Sequence, residues 1–318
     1  MTKIIVQVRR KIREADGVRS FELVNPGGAP LPAFTAGSHI DVVTPSGATR
    51  QYSLCNPSTE RHRYVIGVLR DPASRGGSAS LHDDLAEGDM LHIGLPRNHF
   101  PVTDGPPALL LAGGIGVTPI LSMAEHLHAV GQPFEMHYCG RSASLMAFLD
   151  RLAASPFAAS VRIHLDDGPS SQRLDLPAVL VGAVSGSHLY VCGPTGFMDW
   201  VIAEARQAGW PDTVIHREYF TGAVADETDD QPFEIEIASS GQVLTVPTGT
   251  RAIDVLAEAG FPVETSCEEG VCGTCVTRVL SGEVDHRDLF LTDGEKAANR
   301  EFTPCVSRAS CARLVLDL

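Results

Sequence analysis

Along the first hundred residues, apolar and polar positions alternate in short runs. IIVQVRRKI, VRSFELV, HIDVVT, RYVIGVL and MLHIGL each read as a strand, because successive side chains of an extended chain point to opposite faces. Turn residues separate them, among them Asn25-Pro26-Gly27-Gly28 and Pro45-Ser46-Gly47. Short strands at this spacing predict a sandwich or barrel over residues 1–102. The rhythm then changes. ALLLAGG, FEMHYCG, VRIHL and HLYVCGP are compact apolar runs of the kind that form buried parallel strands. Helical patterns such as PILSMAEHLHAVG and TGFMDWVIAEARQAG lie between them, which predicts an open α/β sheet over residues 103–224. From residue 232 to residue 318 a third domain is expected. It opens with a hairpin, FEIEIASSGQVLTVP, and a helix, TRAIDVLAEAG, that ends at Gly260. The polar, acidic stretch before it predicts a linker at residues 225–231.

Charge adds to this picture. The chain holds 25 Lys and Arg against 39 Asp and Glu, a formal charge of −14. That argues against nucleic acid or an anionic membrane surface as a partner. The excess is local: residues 221–318 carry 18 acidic and 7 basic side chains, whereas residues 1–220 carry 21 and 18. The last third is therefore an acidic unit, either a solvated surface or a docking face. The uncharged stretch from Gly105 to Ala124 has the length of a membrane span. Gly113, Gly114, Gly116 and Pro119 interrupt it, so strand–loop–helix is the better reading and no membrane association is expected. The N-terminus lacks the apolar core of a signal peptide. A cytoplasmic location follows as the expectation, and in that reducing compartment clustered cysteines indicate metal rather than disulfides.

Eight cysteines are present. Cys267-x4-Cys272-x2-Cys275 with a fourth thiol well downstream is the plant-type 2Fe–2S spacing. Cys305 and, six residues later, Cys311 both offer that fourth thiol. Gly270 and Gly273 let the loop wrap closely and leave N–H groups free to point at sulfur. A zinc site usually shows paired short spacings, and no second pair occurs here. Cys55 and Cys139 read as packed thiols.

Gly113-Gly114-Ile115-Gly116-Val117-Thr118-Pro119 follows an apolar run and opens a helix, where free N–H groups and the dipole favour a pyrophosphate. Cys192-Gly193-Pro194 is a second Gly-rich strand end, and ligands of open α/β sheets bind beyond such ends. Two of them in one segment indicate a nucleotide site. Arg50-Gln51-Tyr52-Ser53 supplies a cation, a flat phenol and a hydroxyl in a row. Arg75-Gly76-Gly77-Ser78 supplies a second cation and a turn before a short helix, which suits a phosphate monoester. Taken singly, Arg50 reads equally as an ion-pair residue and Tyr52 as a core aromatic.

RQYSL, RGGS, AGGIGVTP, VCGPTGF, HREYF and the ferredoxin cysteines occur in this order over nearly the whole chain. In this the chain resembles the phthalate dioxygenase reductase family, within the ferredoxin–NADP reductase superfamily. The resemblance implies a flavin-binding antiparallel β-barrel, an open parallel α/β nucleotide-binding domain and a C-terminal plant-type ferredoxin β-grasp. It implies FMN, lined by Arg50, Gln51, Tyr52 and Ser53 and held at its phosphate by Arg75, Gly76, Gly77 and Ser78. By the same resemblance Ser53 lies near the reactive flavin nitrogen, Phe220 near the isoalloxazine and Glu218 near the nicotinamide path. Gly113, Gly114, Gly116, Thr118, Cys192, Gly193 and Pro194 would form the dinucleotide site. The segment TPCVSRAS makes Cys305 the fourth cluster ligand. NADH is the donor the family prefers; Asp166 and Asp167 would repel a 2′-phosphate, while Arg141 would welcome one. The implied function is electron transfer from NADH through FMN and the 2Fe–2S cluster to a terminal oxygenase with a Rieske cluster and non-haem iron. No side-chain acid or base is expected in hydride transfer itself, and a monomer is expected. A reductase of a small acceptor would need no ferredoxin domain, and a redox sensor would need no hydride site.

Overall fold

The computed structural model describes residues 2–72, 76–220, 222 and 230–318. They fall into two units, one ending at Glu218 and one beginning at Tyr219.

The first unit begins with strands β1 (Lys3–Ala15), β2 (Val18–Val24), β3 (His39–Val43), β4 (Thr49–Ser53) and β5 (Tyr64–Leu69). Helix α1 (Gly77–Asp83) and strand β6 (Met90–Gly94) follow. The strands pair antiparallel in the order β4-β3-β6-β1-β2-β5. The two edges meet: Leu54, just past β4, bridges Ile66 of β5, and Cys55 N–H donates to Val65 O at 2.9 Å. The sheet thereby closes into a barrel and loses its open edges. Val6 and Val8 of β1, Phe21 and Leu23 of β2, and Ile40 and Val42 of β3 fill it. These are the alternate positions the sequence pattern marked. The β3–β4 pairing sets His39 opposite Ser53 and Asp41 opposite Gln51.

A parallel sheet completes this unit. Its elements are β7 (Ala108–Gly113), α2 (Val117–Ala129), β8 (Phe134–Gly140), α3 (Leu149–Ala153), β9 (Val161–Leu165), α4 (Leu176–Gly182), β10 (His188–Cys192), α5 (Thr195–Gln207) and β11 (Ile215–Glu218). The strand order is β11-β10-β7-β8-β9. The chain runs outward from β7 to β8 and β9, then returns to the other side of β7 for β10 and β11. The strand order reverses between β7 and β10, and a crevice opens beyond their carboxyl ends. Every residue of β7 is buried, as its unbroken apolar run requires. Barrel and sheet share a core. Val18, Cys55 and Val65 are buried in one cluster with Leu110, Ile120 and Leu121. At the seam Gly67 of β5 has no room for a side chain, since a Cβ there would lie 2.7 Å from Thr118 Cγ2.

The second unit contains β12 (Phe233–Ile237), β13 (Val243–Val246), α6 (Ala252–Glu258), β14 (Thr277–Ser281), β15 (Val284–Asp285), α7 (Asp293–Ala298), β16 (Glu301–Phe302), β17 (Arg308–Ala309) and β18 (Arg313–Leu316). Five strands form a mixed sheet, β13-β12-β18-β14-β16, with β12 and β18 parallel; β15 and β17 pair separately. Phe233, Ile235 and Ile237 alternate into a core with Leu256 of α6 and with Leu314 and Leu316. On the other face Glu234 and Glu236 both meet Arg313, at 2.7 and 2.9 Å. Residues 225–229 of the expected linker lie outside the described residues. Its last two positions belong to the second unit's hydrogen-bond network. Asp230 Oδ1 accepts from Arg287 Nη2 at 2.6 Å, and Gln231 O accepts from Arg308 Nη2 at 3.1 Å. The acidity that suggested a solvated linker is, at Asp230, half of a buried ion pair with Arg287 and Arg308.

Candidate functional site

At the carboxyl end of the parallel sheet lies a cleft of about 840 Å³, in the size range of small-molecule sites. Gly113, Gly114, Arg141, Asp166, Pro194 and Phe197 are among its walls. The glycine loop after β7 and the strand end of β10 touch backbone to backbone. A Cβ on Gly116 would lie 2.2 Å from Cys192 O and 2.6 Å from Gly193 N. A Cβ on Gly113 would strike Phe197 at 2.8 Å. Of the expected dinucleotide residues, Gly113, Gly114 and Pro194 line the cleft. Thr118 and Cys192 are buried behind it. Thr118 Oγ1 donates to Ile115 O at 3.0 Å and so fastens the start of α2. Gly116 and Gly193 are where the two strand ends close on each other. Asp166 faces the cleft; Asp167 does not line it, and its N–H donates to Arg141 O at 3.0 Å. Arg173 also lines the cleft and donates to Asp166 O at 3.1 Å.

Phe197 and Trp200, three residues apart at the start of α5, add an aromatic wall that the sequence reading did not single out. The signal was available. The buried stripe of α5 is Met198, Val201, Ile202 and Ala205, and both aromatics lie off it.

A second group of polar side chains is buried where β4, β10 and β11 end. Cys192 pairs in register with Glu218, and His39 with Ser53. Ser53 Oγ donates to Glu218 Oε2 at 3.3 Å, and His39 Nδ1 stands 3.8 Å from Glu218 Oε1. Burial pushes the Glu218 carboxyl up to about 8, against the opposing pull of the Ser53 hydrogen bond. Burial, helped by the positive Arg97, pushes His39 down to about 4. Burial and the neighbouring Glu218 raise the Cys192 thiol well above its usual range, so it is no ready nucleophile.

Arg50 lies along the start of α1, where a Cβ on Gly77 would stand 2.9 Å from Arg50 Cγ. A guanidinium beside a turn with no side chain is a cradle that fits a phosphate group. Ser78 Oγ accepts from Asp71 N–H at 3.2 Å. Tyr52 packs against the barrel core, and burial raises its phenol. Gln51 Nε2 donates to Asp41 Oδ1 at 3.2 Å, on a carboxylate that also accepts from Arg97 at 2.7 and 2.8 Å. Arg75 lies outside the described residues. Phe220 is an exposed residue of the second unit.

In the second unit, Cys267, Cys272, Cys275 and Cys305 are all buried. They come as two pairs. Cys267 and Cys272 are hydrogen-bonded to each other, and the Cys275 and Cys305 sulfurs stand 3.3 Å apart. Cys272 is drawn down to about 5, chiefly by its bond from Cys267. Two pairs of buried thiols suit two irons sharing four thiolates. Glu269 N–H points at Cys267 Sγ at 3.3 Å, as cluster loops use their amides. Gly270 and Gly273 hold positive φ of 71° and 68°, and a Cβ on Gly273 would enter the Phe290 ring at 2.2 Å. Cys311 is elsewhere: its sulfur accepts from Glu283 N–H at 3.1 Å.

A family profile described as a 2Fe-2S iron-sulfur cluster binding domain matches residues 235–310. The vanillate O-demethylase oxidoreductase of Pseudomonas sp. strain HR199 is 50% identical over 319 residues, covering 100% of both chains. The phthalate dioxygenase reductase of Burkholderia cepacia is 42% identical over 98% of this chain and 97% of its own. A solved phthalate dioxygenase reductase, described as a modular structure for electron transfer from pyridine nucleotides to [2Fe-2S], superposes with a TM-score of 0.76. It is 41% identical and covers 99% of this chain and 98% of its own. Full-length similarity at this level, joined to the paired cysteines and the cleft at the sheet's switch point, identifies the chain as a member of the phthalate dioxygenase reductase family.

Proposed function

We propose that this protein is the reductase component of a Rieske-type aromatic oxygenase or O-demethylase, taking electrons from NADH and delivering them singly to the oxygenase. One observation carries the reading: a dinucleotide-sized cleft and a paired four-cysteine loop occur in the same chain. When bound, FMN takes up a hydride and releases electrons one at a time, and the 2Fe–2S cluster carries one electron; that chemistry is theirs.

The protein's part is position and electrostatics. Arg50, Gly76 and Gly77, with Arg75 and Ser78, would hold the flavin phosphate, and Tyr52 would line the flavin. Ser53, Cys192 and Glu218 close the reacting edge and exclude water. Gly113, Gly114 and Pro194 admit the pyrophosphate, Gly116, Thr118 and Gly193 fix the loop that does so, and Phe197 and Trp200 cover the ligand. Cys267, Cys272, Cys275 and Cys305 would hold the cluster through their thiolates. Residues 1–102, 103–224 and 232–318 carry flavin, nucleotide and cluster respectively. Gln51 acts through Asp41. The protein works as a monomer in the cytoplasm; among the described residues no helix is long and apolar enough to cross a membrane.

Anaerobic mixing with NADH tests the reading. The flavin should bleach first and the cluster second, and an added oxygenase should then turn over. A panel of oxygenases acting on vanillate, phthalate and phenoxybenzoate identifies the partner. No bleaching with NADH would sink the proposal.

Asp166 sets the choice of donor. It faces the cleft beside Arg141 and Arg173, so removing its charge leaves two cations for a 2′-phosphate. Asp166→Ala should raise the NADPH/NADH ratio of kcat/KM by about tenfold or more, the scale of one charge contact. An unchanged ratio would place the ribose elsewhere.

The acidic second unit exposes Glu264 and Glu268 beside the cysteine loop. We assign this face to a basic patch on the oxygenase. Partner reduction should then slow about tenfold or more between low salt and roughly 0.5 M salt, as screening shortens the reach of the charges. A salt-independent rate would remove the docking role.

A further inference from the structure

This inference rests on the ligation just proposed. Three of the four thiols sit on the loop from Cys267 to Cys275, and the fourth, Cys305, comes from a turn 30 positions beyond Cys275. Residues that join loop and turn therefore set where the sulfurs stand. Side chains that orient ligands in this way commonly change metal affinity by about 10–100-fold when altered.

Thr303 and Ser307 bracket Cys305 in a tight turn, where Val306 N–H and Ser307 N–H both donate to Thr303 O, at 3.1 and 2.9 Å. Their hydroxyls are 2.7 Å apart, and both residues are buried with Asp288. Arg287 N–H donates to Ser307 Oγ at 3.1 Å, and Asp288 Oδ1 accepts from Thr303 Oγ1 at 3.4 Å. Each hydroxyl has one proton, so one direction satisfies the row: Arg287 N–H to Ser307, Ser307 to Thr303, Thr303 to the carboxylate. Ser307 Oγ and His286 Nδ1 each also stand 3.5 Å from Oδ1, and Oδ2 accepts from Leu291 N–H at 2.7 Å. The main chain makes the other join. Lys296 Nζ donates to Asp288 O, and Leu289 N–H donates to Gly270 O at 3.0 Å. Gly270 N–H in turn donates to the Cys305 sulfur. Loop and turn are in contact there: a Cβ on Gly270 would lie 2.6 Å from Val306 Cγ2 and 3.1 Å from Asp288 Cα. We propose that Asp288 is the positioning residue of the cluster site, fixing Cys305 against the Gly270 loop through Thr303 and Ser307.

The row ends on a group that accepts at both of its oxygens, which a carboxylate does and an amide does not. Asparagine in the same place would present one N–H₂ group whichever way it turned. Facing Leu291 N–H, it would set donor against donor. Facing Thr303, it would reverse the row, so that Ser307 received two protons and kept its own without an acceptor. A buried donor without a partner is costly, so the turn would shift instead. The shift falls on Cys305, which lies between the two hydroxyl residues, and on the Gly270 N–H that points at its sulfur. An amide proton aimed at a cluster thiolate favours the form carrying the extra electron, so loosening that bond lowers the potential.

The test uses the full holoprotein and reads the cluster rather than turnover. Thr303→Val keeps the shape and leaves the charge of Asp288 in place, but breaks the row. It should release iron to a chelator about tenfold or more faster than wild type. In a dye-equilibrated redox titration its reduction equilibrium should fall about tenfold, which is about 59 mV for one electron. Thr303→Ser, which keeps the hydroxyl, should return both to wild-type values. Asp288→Asn should release iron as fast as Thr303→Val, and the double variant no faster than the faster single, because both act through one row. Ser307→Ala removes the middle of the row with less loss of bulk and should show the same fall in potential, so it reports even if Thr303→Val cannot be loaded with iron. A wild-type potential in both Thr303→Val and Ser307→Ala would overturn the assignment, as would release rates that multiply in the double variant. If Cys305→Ser keeps the full wild-type cluster spectrum, the underlying ligation fails instead.

Discussion

Cys272→Ser is expected to bleach its flavin with NADH at near the wild-type rate and to reduce an acceptor protein at under about 1% of it. Cys272 is one of two thiols in the Cys267–Cys272 pair and is buried with Thr274 Oγ1 3.3 Å away. A serine hydroxyl is harder than a thiolate and keeps its proton at neutral pH, so one iron loses half of its protein ligands. On the proposed ligation the Cys275–Cys305 pair would not compensate, because each of its sulfurs would serve the other iron. The cleft and the Ser53–Glu218 contact belong to the first unit, so hydride uptake has no reason to change. Iron content, the visible spectrum of the cluster and cytochrome c reduction measure the two halves separately. Acceptor turnover persisting in a cluster-free Cys272→Ser protein would show that electrons leave by another route.

Gly116→Ala is expected to lower kcat/KM for NADH by about a hundredfold or more. The backbone at Gly116 has φ −60°, which alanine adopts freely. The cost is contact alone. The new Cβ would sit 2.2 Å from Cys192 O and 2.4 Å from Cys192 C, and both are backbone atoms that no rotamer change can move. The β10 end must back away by about 1 Å, and displacements of that size cost about 10²-fold at reacting centres. Cys192 and Glu218 are register partners, so the shift carries into the buried Ser53–Glu218 group. Overpacking of this kind also costs about 1–3 kcal/mol of stability. Gly114→Ala is the contrast in the fold: its φ is 53°, but a Cβ there meets no protein atom within 4 Å, so the fold bears only the ~1 kcal/mol left-handed penalty and any loss of NADH binding arises at the ligand. Stopped-flow flavin reduction across NADH concentrations separates the two. A Gly116→Ala rate within about threefold of wild type would mean that the loop yields more easily than close packing permits.

Much of this was legible in the chain. Where one face of a strand packs and the other is wet, the sequence alternates, and β1, β2 and β12 were readable for that reason. β7 was readable as an unbroken apolar run because both its faces are covered. The cysteine loop was readable because three of its four buried thiols lie within nine residues, the spacing that a 2Fe–2S loop uses. The fourth needed the resemblance, since Cys305 and Cys311 differ by where the chain folds back. Other features join distant positions. The Leu54–Ile66 bridge that closes the barrel leaves no pattern of its own. His39, Ser53 and Glu218 come from three strands, and each alone looks like an ordinary polar residue. Helices α3 and α4 are five and seven residues long, too short for a 3.6-residue period to show. Asp230 sits in an acidic run, where only the fold reveals its arginines.

The core common to barrel and parallel sheet has an evolutionary consequence. A substitution at Val65 or Ile120 is felt on both sides of the Gly67 seam, so neither half drifts freely, and neither can be exchanged between lineages without the other. Recombination breakpoints near residue 102 are therefore penalised, while those after Glu218 leave both cores whole. Barrel and parallel sheet thus form one packing block, and the second unit carries a core of its own.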